Sequence, residues 1–554
     1  MLKEVEKQAK ELISDYLRKK GVKVEIKFEE PVIEEYGDIA TSVCFSLASI
    51  FKKSPKSIAE KIALEIKPKG FIKEVRAVNG YLNFYIDYEK FALSLLAKAR
   101  SKDYGKSKKK LDKIILEHTS ANPDGPLHIG HGRNAIIGDT LARILRFYGY
   151  EVETQFYVND MGKQLALVVL GLRKFKLDKE KKKDLAIAEI YVKANKLLEE
   201  NPELEEEVAE FMRKYEKGEL EEEFKSVAVY CLQGIKETLQ RMNISIDKFV
   251  FESKFVRSSD VTKVVEKLRK TKYAKEKEVL YLDLNEFGIK KELVLTRSDG
   301  TYLYTTRDIA YHLWKARQGK VIDILGADHK LVAQQLKAVM RILGEEEPEI
   351  IIYEFITLPE GSMSTRKGKF IAMDELIEES VRRAYAEVDK RRKDANEEFK
   401  RSIAEAIGVA AVRFNIVKVS PEKTITFRWE EALDFERQGI PFILYAYARA
   451  CRILEKVDEI KEIKRIENIT ENERKLIKLI SKFPKIIESS ASQRKPHILA
   501  NYALEIADAF HRFYRFEKVL KSERKDFRVE LTMVTKEILK KCLKLLGVKP
   551  LESM

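Results

Sequence analysis

Short apolar runs alternate with longer amphipathic stretches through the middle of the chain, from Leu111 onward. Four of the runs have the length and composition of buried strands, at 114–117, 152–158, 321–325 and 350–356. After the first run, Ile137, Leu141 and Leu145 recur at every fourth position and the pattern ends at Gly149. This spacing predicts an amphipathic helix with a glycine stop. The alternation as a whole favours a parallel sheet with helices packed on its faces.

The pattern changes on both sides of this region and inside it. Residues 1–105 predict a small α/β domain, with helices at 42–51 and 58–66 and a hairpin at 75–86 that turns at Asn79-Gly80. The sheet domain is expected at 106–420, and its long Lys- and Glu-rich helices between about 165 and 290 indicate a helical insertion. From 421 to 554 the pattern is helical throughout. The predicted fold is therefore α/β and multidomain, with an all-α C-terminal domain.

Length and composition restrict the class of protein. A chain of 554 residues is too long for one hydrophobic core, so we expect three or four domains. No apolar run approaches the roughly eighteen residues of a membrane span, and residues 1–20 form an amphipathic pattern rather than a signal peptide. We therefore expect a cytoplasmic protein with no membrane partner. The four cysteines are too widely separated to indicate a zinc site or a disulfide framework.

The net charge of +15 and the sequence pI near 9.1 have two interpretations. A distributed basic excess is typical of proteins that bind a polyanion. Abundant Lys and Glu also occur in heat-adapted proteins, where they form surface ion-pair networks. Charge alone does not decide between nucleic-acid binding and thermal adaptation.

The segment 121–133 carries the most specific chemistry. A strand at Lys113–Glu117 leads into a turn at 122–126, and His128-Ile129-Gly130-His131 then begins the predicted helix. Unpaired N–H groups and the positive dipole end of a helix N-terminus favour phosphate. Protonatable histidines would add charge, and Gly130 would let a flat base approach the backbone. Taken alone, two histidines beside a turn are also compatible with a structural role.

This segment resembles the HIGH signature of class I aminoacyl-tRNA synthetases, and its setting resembles the arginyl enzymes in particular. The resemblance implies a Rossmann-type catalytic domain that binds ATP together with Mg²⁺, with no metal bound by the protein itself. His128 and His131 would contact the phosphates, and Gly130 and Gly132 would belong to the nucleotide site. The reaction is an in-line displacement at the α-phosphate, in which positioning and charge stabilisation do the work.

Polar residues at the ends of three predicted strands would line one acidic crevice. Carboxylates and a phenol there would suit a planar guanidinium, which has five donors. The family resemblance places Glu117, Tyr304 and Asp308 on the guanidinium and Asn122 on the α-amino or carboxylate end. A further position falls on Asp328 or His329, and the sequence leaves the register open. Asp308 is also predicted to cap a helix at 309–316, after a hairpin around Asp299-Gly300.

A second signature is expected after the last strand of the sheet. The loop 360–369 resembles a degenerate KMSKS motif, in which Ser362 replaces the first lysine and Thr365 the second. Met363 and Ser364 would contact the nucleotide. The cation on the triphosphate would be Lys367, or Arg366 as the second candidate. An ordinary solvated loop is the alternative interpretation.

Segments at both ends resemble tRNA-binding domains of the same family. The N-terminal segment around 37–59 is similar to the extension that contacts the tRNA elbow, which implies that Asn79, Tyr81 and Asn83 face the D-loop. The alternative is that Tyr81 belongs to the core and the two asparagines form turns. At the other end, 440–449 and 509–514 resemble the helical, DALR-type anticodon-binding domain.

The expectation that follows is an arginyl-tRNA synthetase of class I, active as a monomer. Such an enzyme activates L-arginine with ATP to arginyl-adenylate and transfers the arginyl group to the 3′-terminal ribose of tRNA(Arg). A nucleotidylyltransferase shares the His-x-Gly-His turn, but it would not explain the two flanking domains. A non-enzymatic RNA-binding paralogue would be expected to lack Glu117, His128 or Asp308, and all three are present.

Overall fold

The computed structural model describes residues 1–108, 111–359, 371–463 and 465–554. The N-terminal region is a three-stranded antiparallel sheet, ordered β1-β3-β2, packed with helices. Its elements are α1 (Leu2–Arg18), β1 (Ile39–Thr41), α2 (Val43–Phe51), α3 (Pro55–Glu65), β2 (Ile72–Val78), β3 (Tyr81–Ile86) and α4 (Tyr88–Ala99). The predicted hairpin is confirmed, because Asn79 and Gly80 turn between β2 and β3 with φ of 50° and 88°.

The central region begins with a strand-helix-strand unit and continues into a helical segment. These elements are β4 (Lys113–Glu117), α5 (Ile129–Tyr148), β5 (Glu151–Val158), α6 (Lys163–Lys174), α7 (Lys183–Glu200), α8 (Leu204–Glu216) and α9 (Glu221–Arg241). The chain then forms β6 (Lys248–Phe251), α10 (Ser253–Arg257), α11 (Asp260–Arg269), β7 (Ala274–Glu276), β8 (Leu280–Leu282) and β9 (Leu293–Val294).

The second half of the central region is α12 (Tyr304–Ala316), β10 (Lys320–Gly326), α13 (Lys330–Ile342), β11 (Glu349–Tyr353), β12 (Ile356–Thr357), α14 (Met373–Arg391) and α15 (Glu397–Val417). Five strands form one sheet in the order β11-β10-β4-β5-β6, and every pair in it is parallel. The parallel sheet predicted from the sequence is confirmed. Ile114, Ile115 and Leu116 of its central strand are fully buried, so the carboxyl end of β4 opens from the middle of the core.

Two local predictions differ from the structure. The helix expected from Ile309 begins at Tyr304, and its cap residue is Leu303, so Asp308 lies inside the helix and caps nothing. The strand expected at 350–356 is split into β11 and β12, and β12 pairs in parallel with β13 (Ile425–Thr426). The expected insertion is helical to Arg241 and then supplies β6, the edge strand of the main sheet, and a small antiparallel sheet ordered β7-β8-β9.

Apart from β13, the regular elements of the described chain after 421 are helices, as predicted, and this region contacts the N-terminal one. Its helices are α16 (Trp429–Ala432), α17 (Ile440–Leu454), α18 (Glu471–Ser492), α19 (His497–Phe516) and α20 (Lys525–Leu545). Arg100, just after α4, donates from Nε and Nη2 to the two carboxylate oxygens of the buried Glu530 of α20. Tyr104 Oη donates to the carbonyl of Ile480 in α18 at 2.9 Å. Among the described residues, no helix is long and apolar enough to cross a membrane.

Candidate active site

The end of β4 is held by two consecutive residues with left-handed backbone. Thr119 and Ser120 have φ of 72° and 39°, a conformation that costs a non-glycine residue about 1–3 kcal/mol. The turn lets the Ser120 hydroxyl donate to Glu117 Oε1 at 2.9 Å. The same hydroxyl oxygen accepts the N–H of Tyr157 at 3.0 Å. The strained turn therefore fixes one oxygen of the buried Glu117 carboxylate at the edge of the sheet.

Asn122 lies in the turn that follows, facing the segment after β5. Its Nδ2 donates to Gln164 Oε1 at 2.7 Å. In the same segment, Asp160 accepts the hydroxyl of Tyr215 and, at 2.9 Å, the N–H of Ser253. The segment 159–164 thus anchors α8 and the end of β6 beside the crevice.

Helix α12 places four polar side chains on one face, at spacings of four, four and three residues. Tyr304 is 63% exposed, Asp308 is 29% exposed, His312 is 5% exposed and Lys315 is fully buried. The face therefore descends from the mouth of the crevice into the core. The structure brings the predicted Asp308 to the same crevice as Glu117, with Tyr304 at its rim.

Below the crevice, five charged side chains form one unbroken chain. Lys315 Nζ donates to Glu117 Oε2 and to Asp323 Oδ1, each at 2.6 Å. The other oxygen of Asp323 lies 3.0 Å from His312 Nε2. His312 Nδ1 lies 2.8 Å from the carbonyl of Asp308 and 3.2 Å from its carboxylate. We call these residues the buried charge chain: Glu117, Lys315, Asp323, His312 and Asp308.

The pKa values within the chain follow from its geometry. Burial alone would lower the pKa of His312, but the carboxylates of Asp308 and Asp323 outweigh it and raise the pKa to about 10. Burial opposes ionisation of Asp323 as well, yet Lys315 and His312 hold its pKa well below the usual range. The carboxylates of Asp323 and Glu117 raise the pKa of Lys315 against its burial. Lys315, His312 and Asp323 are thus charged at neutral pH.

Sequence reasoning missed His312, Lys315 and Asp323. Glu117, His312 and Asp323 are also the one group of possible metal ligands found among the described residues. The Lys315 ammonium already lies between two of these carboxylates, so the cluster has its cation built into the chain. The available signal was the spacing of Asp308, His312 and Lys315 on one helix face, together with Asp323 inside an apolar strand.

The two histidines of the first signature stand at the start of α5 with their rings stacked, 3.5 Å between centroids. His128 is the cap residue, and its Nδ1 accepts the N–H groups of Gly130 and His131 at 3.0 and 3.3 Å. Burial lowers the pKa of both rings, that of His131 to about 3. Burial therefore opposes a positive charge on either ring in the free protein, and the expected charge of these histidines at the phosphates stays a prediction.

Both glycines of the motif serve packing. A Cβ on Gly130 would lie 2.9 Å from Cε1 of the His128 ring, and a Cβ on Gly132 would lie 2.3 Å from Sδ of the buried Met373. Gly132 itself is buried. Their missing side chains make room for His128 and for the first residue of α14, and the nucleotide contacts expected of Gly130 and Gly132 stay predictions.

Arg133, the next residue, joins the motif to two other segments. Its buried guanidinium donates to the carbonyls of Glu354 and Phe355 and to those of Ser420, Pro421 and Lys423, at 2.6 to 3.4 Å. The contacts hold the bend between β11 and β12, which explains why the predicted strand is interrupted there.

The second signature lies outside the described residues, and with it Met363, Ser364, Arg366 and Lys367. The described chain immediately after it contacts the histidine turn. Ile129 N donates to the carbonyl of Ile371 at 3.1 Å, and Met373 N donates to that of Leu127 at 2.7 Å. The turn after β10 is near the same place, because the charge of Asp328 acts on His128.

His329, predicted to contact arginine, lies in that same turn. It is 55% exposed and sits 3.4 Å from Asp328, which is 63% exposed. Among the described residues, no hydrogen bond or ion pair joins either side chain to the buried charge chain. The contact of His329 with arginine stays a prediction.

The predicted RNA contacts of the first domain divide into two kinds. Asn79 is exposed in the hairpin turn, and Tyr81 is half-buried with its ring edge against Phe45, 5.3 Å between centroids. Asn83 is only 3% exposed, on a strand between β1 and β2. Asn83 therefore does not belong to the expected exposed face.

An aromatic and basic groove of about 690 Å³ runs along α17 and the end of α19. The guanidinium of Arg449 lies over the rings of Tyr445 and Tyr514, 4.5 and 4.3 Å from their centroids. Both tyrosines and Phe516 are exposed by 43% or more. Exposed rings beside cations are the arrangement on which unpaired bases stack.

Three family models match successive parts of the chain. Residues 4–86 match the arginyl tRNA synthetase N terminal domain, residues 93–429 match the catalytic domain of tRNA synthetases class I (R), and residues 443–554 match the DALR anticodon binding domain. The catalytic match alone covers more than half of the chain.

Individual relatives are similar over nearly their full length. An arginine–tRNA ligase of Methanocaldococcus jannaschii is 52% identical over 97% of each chain, and one of Methanothermobacter thermautotrophicus is 48% identical over 100% of each. Among solved structures, Thermus thermophilus arginyl-tRNA synthetase has a TM-score of 0.83 and 28% identity, over 98% of this chain and 99% of that one. The Plasmodium falciparum arginyl-tRNA synthetase, 19% identical with a TM-score of 0.78 over 99% of each chain, shares the fold.

Proposed function

The chain belongs to the arginyl-tRNA synthetases of class I, and from that premise we propose how its crevice performs the arginine–tRNA ligase reaction. The enzyme uses ATP to activate L-arginine and passes the arginyl group to tRNA(Arg). Glu117, Asp308 and Tyr304 hold the guanidinium, and Asn122 orients the α-amino or carboxylate end. Gln164 supports Asn122 through the 2.7 Å hydrogen bond.

One observation carries the arginine assignment: the buried charge chain ends in the crevice with an excess of one negative charge. Three carboxylates face two cations within it, because Lys315 and His312 are both charged. A single guanidinium therefore completes the balance. Its planar fork of donors can reach two carboxylates at once, which an ammonium does less well.

ATP is placed by the start of α5. The N–H groups and dipole of this helix favour the triphosphate, and the His128 and His131 rings present neutral N–H donors to its oxygens. We expect Mg²⁺ to arrive on the triphosphate, with the exposed carboxylate of Asp328 on the same side. A carboxylate and phosphate oxygens are the ligands that Mg²⁺ prefers. Lys367, or failing it Arg366, supplies the cation that opposes the histidines in the transition state.

Two surfaces fit the RNA. The groove at Tyr445, Arg449 and Tyr514 suits unpaired anticodon bases, and the exposed Asn79 and half-buried Tyr81 suit the elbow. We propose that the enzyme acts as a monomer in the cytoplasm, where its three substrates are present.

The test of this function is a charging assay. The protein is incubated with MgATP, radiolabelled arginine and total tRNA, and acid-insoluble label is counted, with lysine and citrulline as parallel substrates. Labelling by arginine alone is the expected result. Absence of label with tRNA from several sources would contradict the proposal, and nucleotide transfer without tRNA would favour a nucleotidylyltransferase.

The assignment of the loop cation has its own experiment. Lys367→Ala should slow single-turnover adenylate formation by about 10²-fold, the scale of losing one transition-state donor, with little change in arginine affinity. A rate close to that of the wild type would move this role to Arg366.

A further inference from the structure

The buried charge chain joins the two carboxylates that would hold arginine, although three of its members do not reach the crevice. Lys315 is fully buried, and Asp323 and His312 are 2% and 5% exposed. Burying charged side chains is unfavourable unless each is paired. Here each of the three is paired with an opposite charge on both sides. The pairs run from Glu117 on β4 to Lys315 on α12, then to Asp323 on β10, and back to His312 and Asp308 on α12.

The geometry alone defines the protonation of His312. Nε2 faces a carboxylate oxygen of Asp323 at 3.0 Å, and Nδ1 faces the carbonyl and carboxylate oxygens of Asp308 at 2.8 and 3.2 Å. These groups are all acceptors when Asp323 and Asp308 are ionised. Both ring nitrogens must therefore donate, which only the imidazolium can do.

The charge of the chain then follows by counting. The charged groups that act on His312 are Asp308 and Lys315 on its own helix and Asp323 on β10. Glu117 on β4 lies beyond Lys315. With His312 protonated the chain carries one net negative charge, and with a neutral residue at position 312 it carries two. Two uncompensated carboxylates in one site raise each other's pKa, so one of them would bind a proton in place of arginine.

We propose that His312 and Lys315 are positioning residues that set the specificity for arginine. They hold Asp308 and Glu117 in place, and their two positive charges leave the buried charge chain with one net negative charge, which one cationic substrate group neutralises. Neither side chain touches the substrate. This inference rests on the proposed function and adds two residues to it.

The first experiment replaces the imidazolium by a neutral amide of similar reach. His312→Gln should raise the arginine KM at pH 7 by about tenfold or more, the size of losing a hydrogen bond to a charged group. The KM for ATP should stay close to the wild-type value. Between pH 6.5 and 9 the arginine KM of the variant should fall as pH rises, whereas that of the wild type should stay nearly constant, because only the variant must release a proton to bind.

The second experiment restores the charge count without restoring the histidine. Adding Asp323→Asn to His312→Gln removes one negative charge, so the chain again carries one net negative charge. The double variant should recover most of the arginine KM and lose the pH dependence. Lys315→Met alone should raise the arginine KM as His312→Gln does, and Lys315→Met with Asp323→Asn should recover it as the first double variant does. If the substitutions only damaged the structure, their effects on the arginine KM would add in the double variant and would not depend on pH.

His497→Gln provides the matched control, because His497 begins α19 in the helical C-terminal region, whereas the buried charge chain lies on β4, α12 and β10. It should leave both KM values unchanged. An unaltered arginine KM in His312→Gln, or a defect that Asp323→Asn deepens, would overturn the inference. If the wild type charges tRNA normally, such a result leaves the proposed function intact. Loss of charging by the wild type itself would instead refute the function.

A measurement on the unmodified protein covers the case in which the variants do not fold. The chain has seven histidines, so ring ¹⁵N shifts can be assigned in histidine-labelled protein. His312 should retain two protonated nitrogens at pH 8, where an ordinary histidine with pKa near 6.5 is neutral. A neutral His312 at pH 8 would overturn the inference directly.

Discussion

Asp308→Asn separates the charge of one crevice carboxylate from its shape. The asparagine keeps the size of the side chain, and its amide oxygen can still accept from His312 Nδ1, which lies 3.2 Å from the carboxylate. What disappears is one of three negative charges facing two positive ones. The buried charge chain then becomes neutral, and no net attraction for a guanidinium is left.

The magnitude follows from the position of the side chain. A hydrogen bond between charged groups contributes about 1.5–3 kcal/mol, and Asp308 is 29% exposed, so solvent screening favours the lower part of this range. At 1.4 kcal/mol for each factor of ten, the arginine KM should rise about 10- to 30-fold. The KM for ATP should change by less than about twofold, because the nucleotide binds at the start of α5.

The assay is steady-state aminoacylation with arginine and ATP varied separately at saturating tRNA. Asp299→Asn is the matched control, since Asp299 lies nine residues upstream in an exposed turn, where its carboxylate accepts the N–H of Thr301 at 2.9 Å. The control should behave like the wild type. An unchanged arginine KM in Asp308→Asn, or equal increases in the arginine and ATP values, would refute the reasoning.

Further predictions concern the frame of the site, its pH dependence and the RNA. Arg133→Lys should lower the free energy of unfolding by about 1–3 kcal/mol in urea titrations and slow charging, because the three N–H donors of a lysine ammonium cannot serve the five carbonyls that Arg133 contacts. A wild-type free energy of unfolding and a wild-type charging rate would contradict this. Gly132→Ala should destabilise the protein by about 1–3 kcal/mol through overpacking, and more than Gly125→Ala, whose Cβ would meet its nearest atom at 3.2 Å; equal melting temperatures would count against it. The pKa of His312 near 10 lies above its unfolded value near 6.5. Protonated His312 therefore stabilises the folded state fully below about pH 6.5, and this contribution is lost as pH rises toward 10. Urea titrations over this pH range should show that the free energy of unfolding falls less for His312→Gln than for the wild type. Tyr514→Ala should raise the tRNA KM about 5- to 100-fold at unchanged arginine KM, the scale of one lost base stack, and an unchanged tRNA KM would exclude this groove.

The sequence predicted the architecture of the site better than its interior. The strands that end at Glu117 and Val158 were predictable because their apolar runs are bounded by turn residues. Strand β6 was missed because its four residues follow a long charged helix and carry little pattern of their own. The start of α12 was predicted five residues late, since an aspartate before an apolar stretch is typical of a cap.

The interior of the site could not be predicted for a different reason. Lysine is almost never fully buried unless it is paired, and the burial of Lys315 depends on Asp323 and Glu117, which are 8 and 198 positions away from it. Only the folded sheet brings these partners together. Likewise, nothing local indicates that Gly132 contacts Met373 or that Arg133 bonds to carbonyls 221 to 290 positions later.

The contact between the first and last parts of the chain has a consequence for biosynthesis. Arg100 and its partner Glu530 are 430 residues apart, and α4 packs on α18 and α20. During translation, the face of α4 that these helices cover stays exposed until α20 has left the ribosome. Closure of contacts this distant is slow and leaves apolar surface exposed in the meantime. Nascent chains that stall before α20 are therefore expected to be substrates for chaperones and proteases.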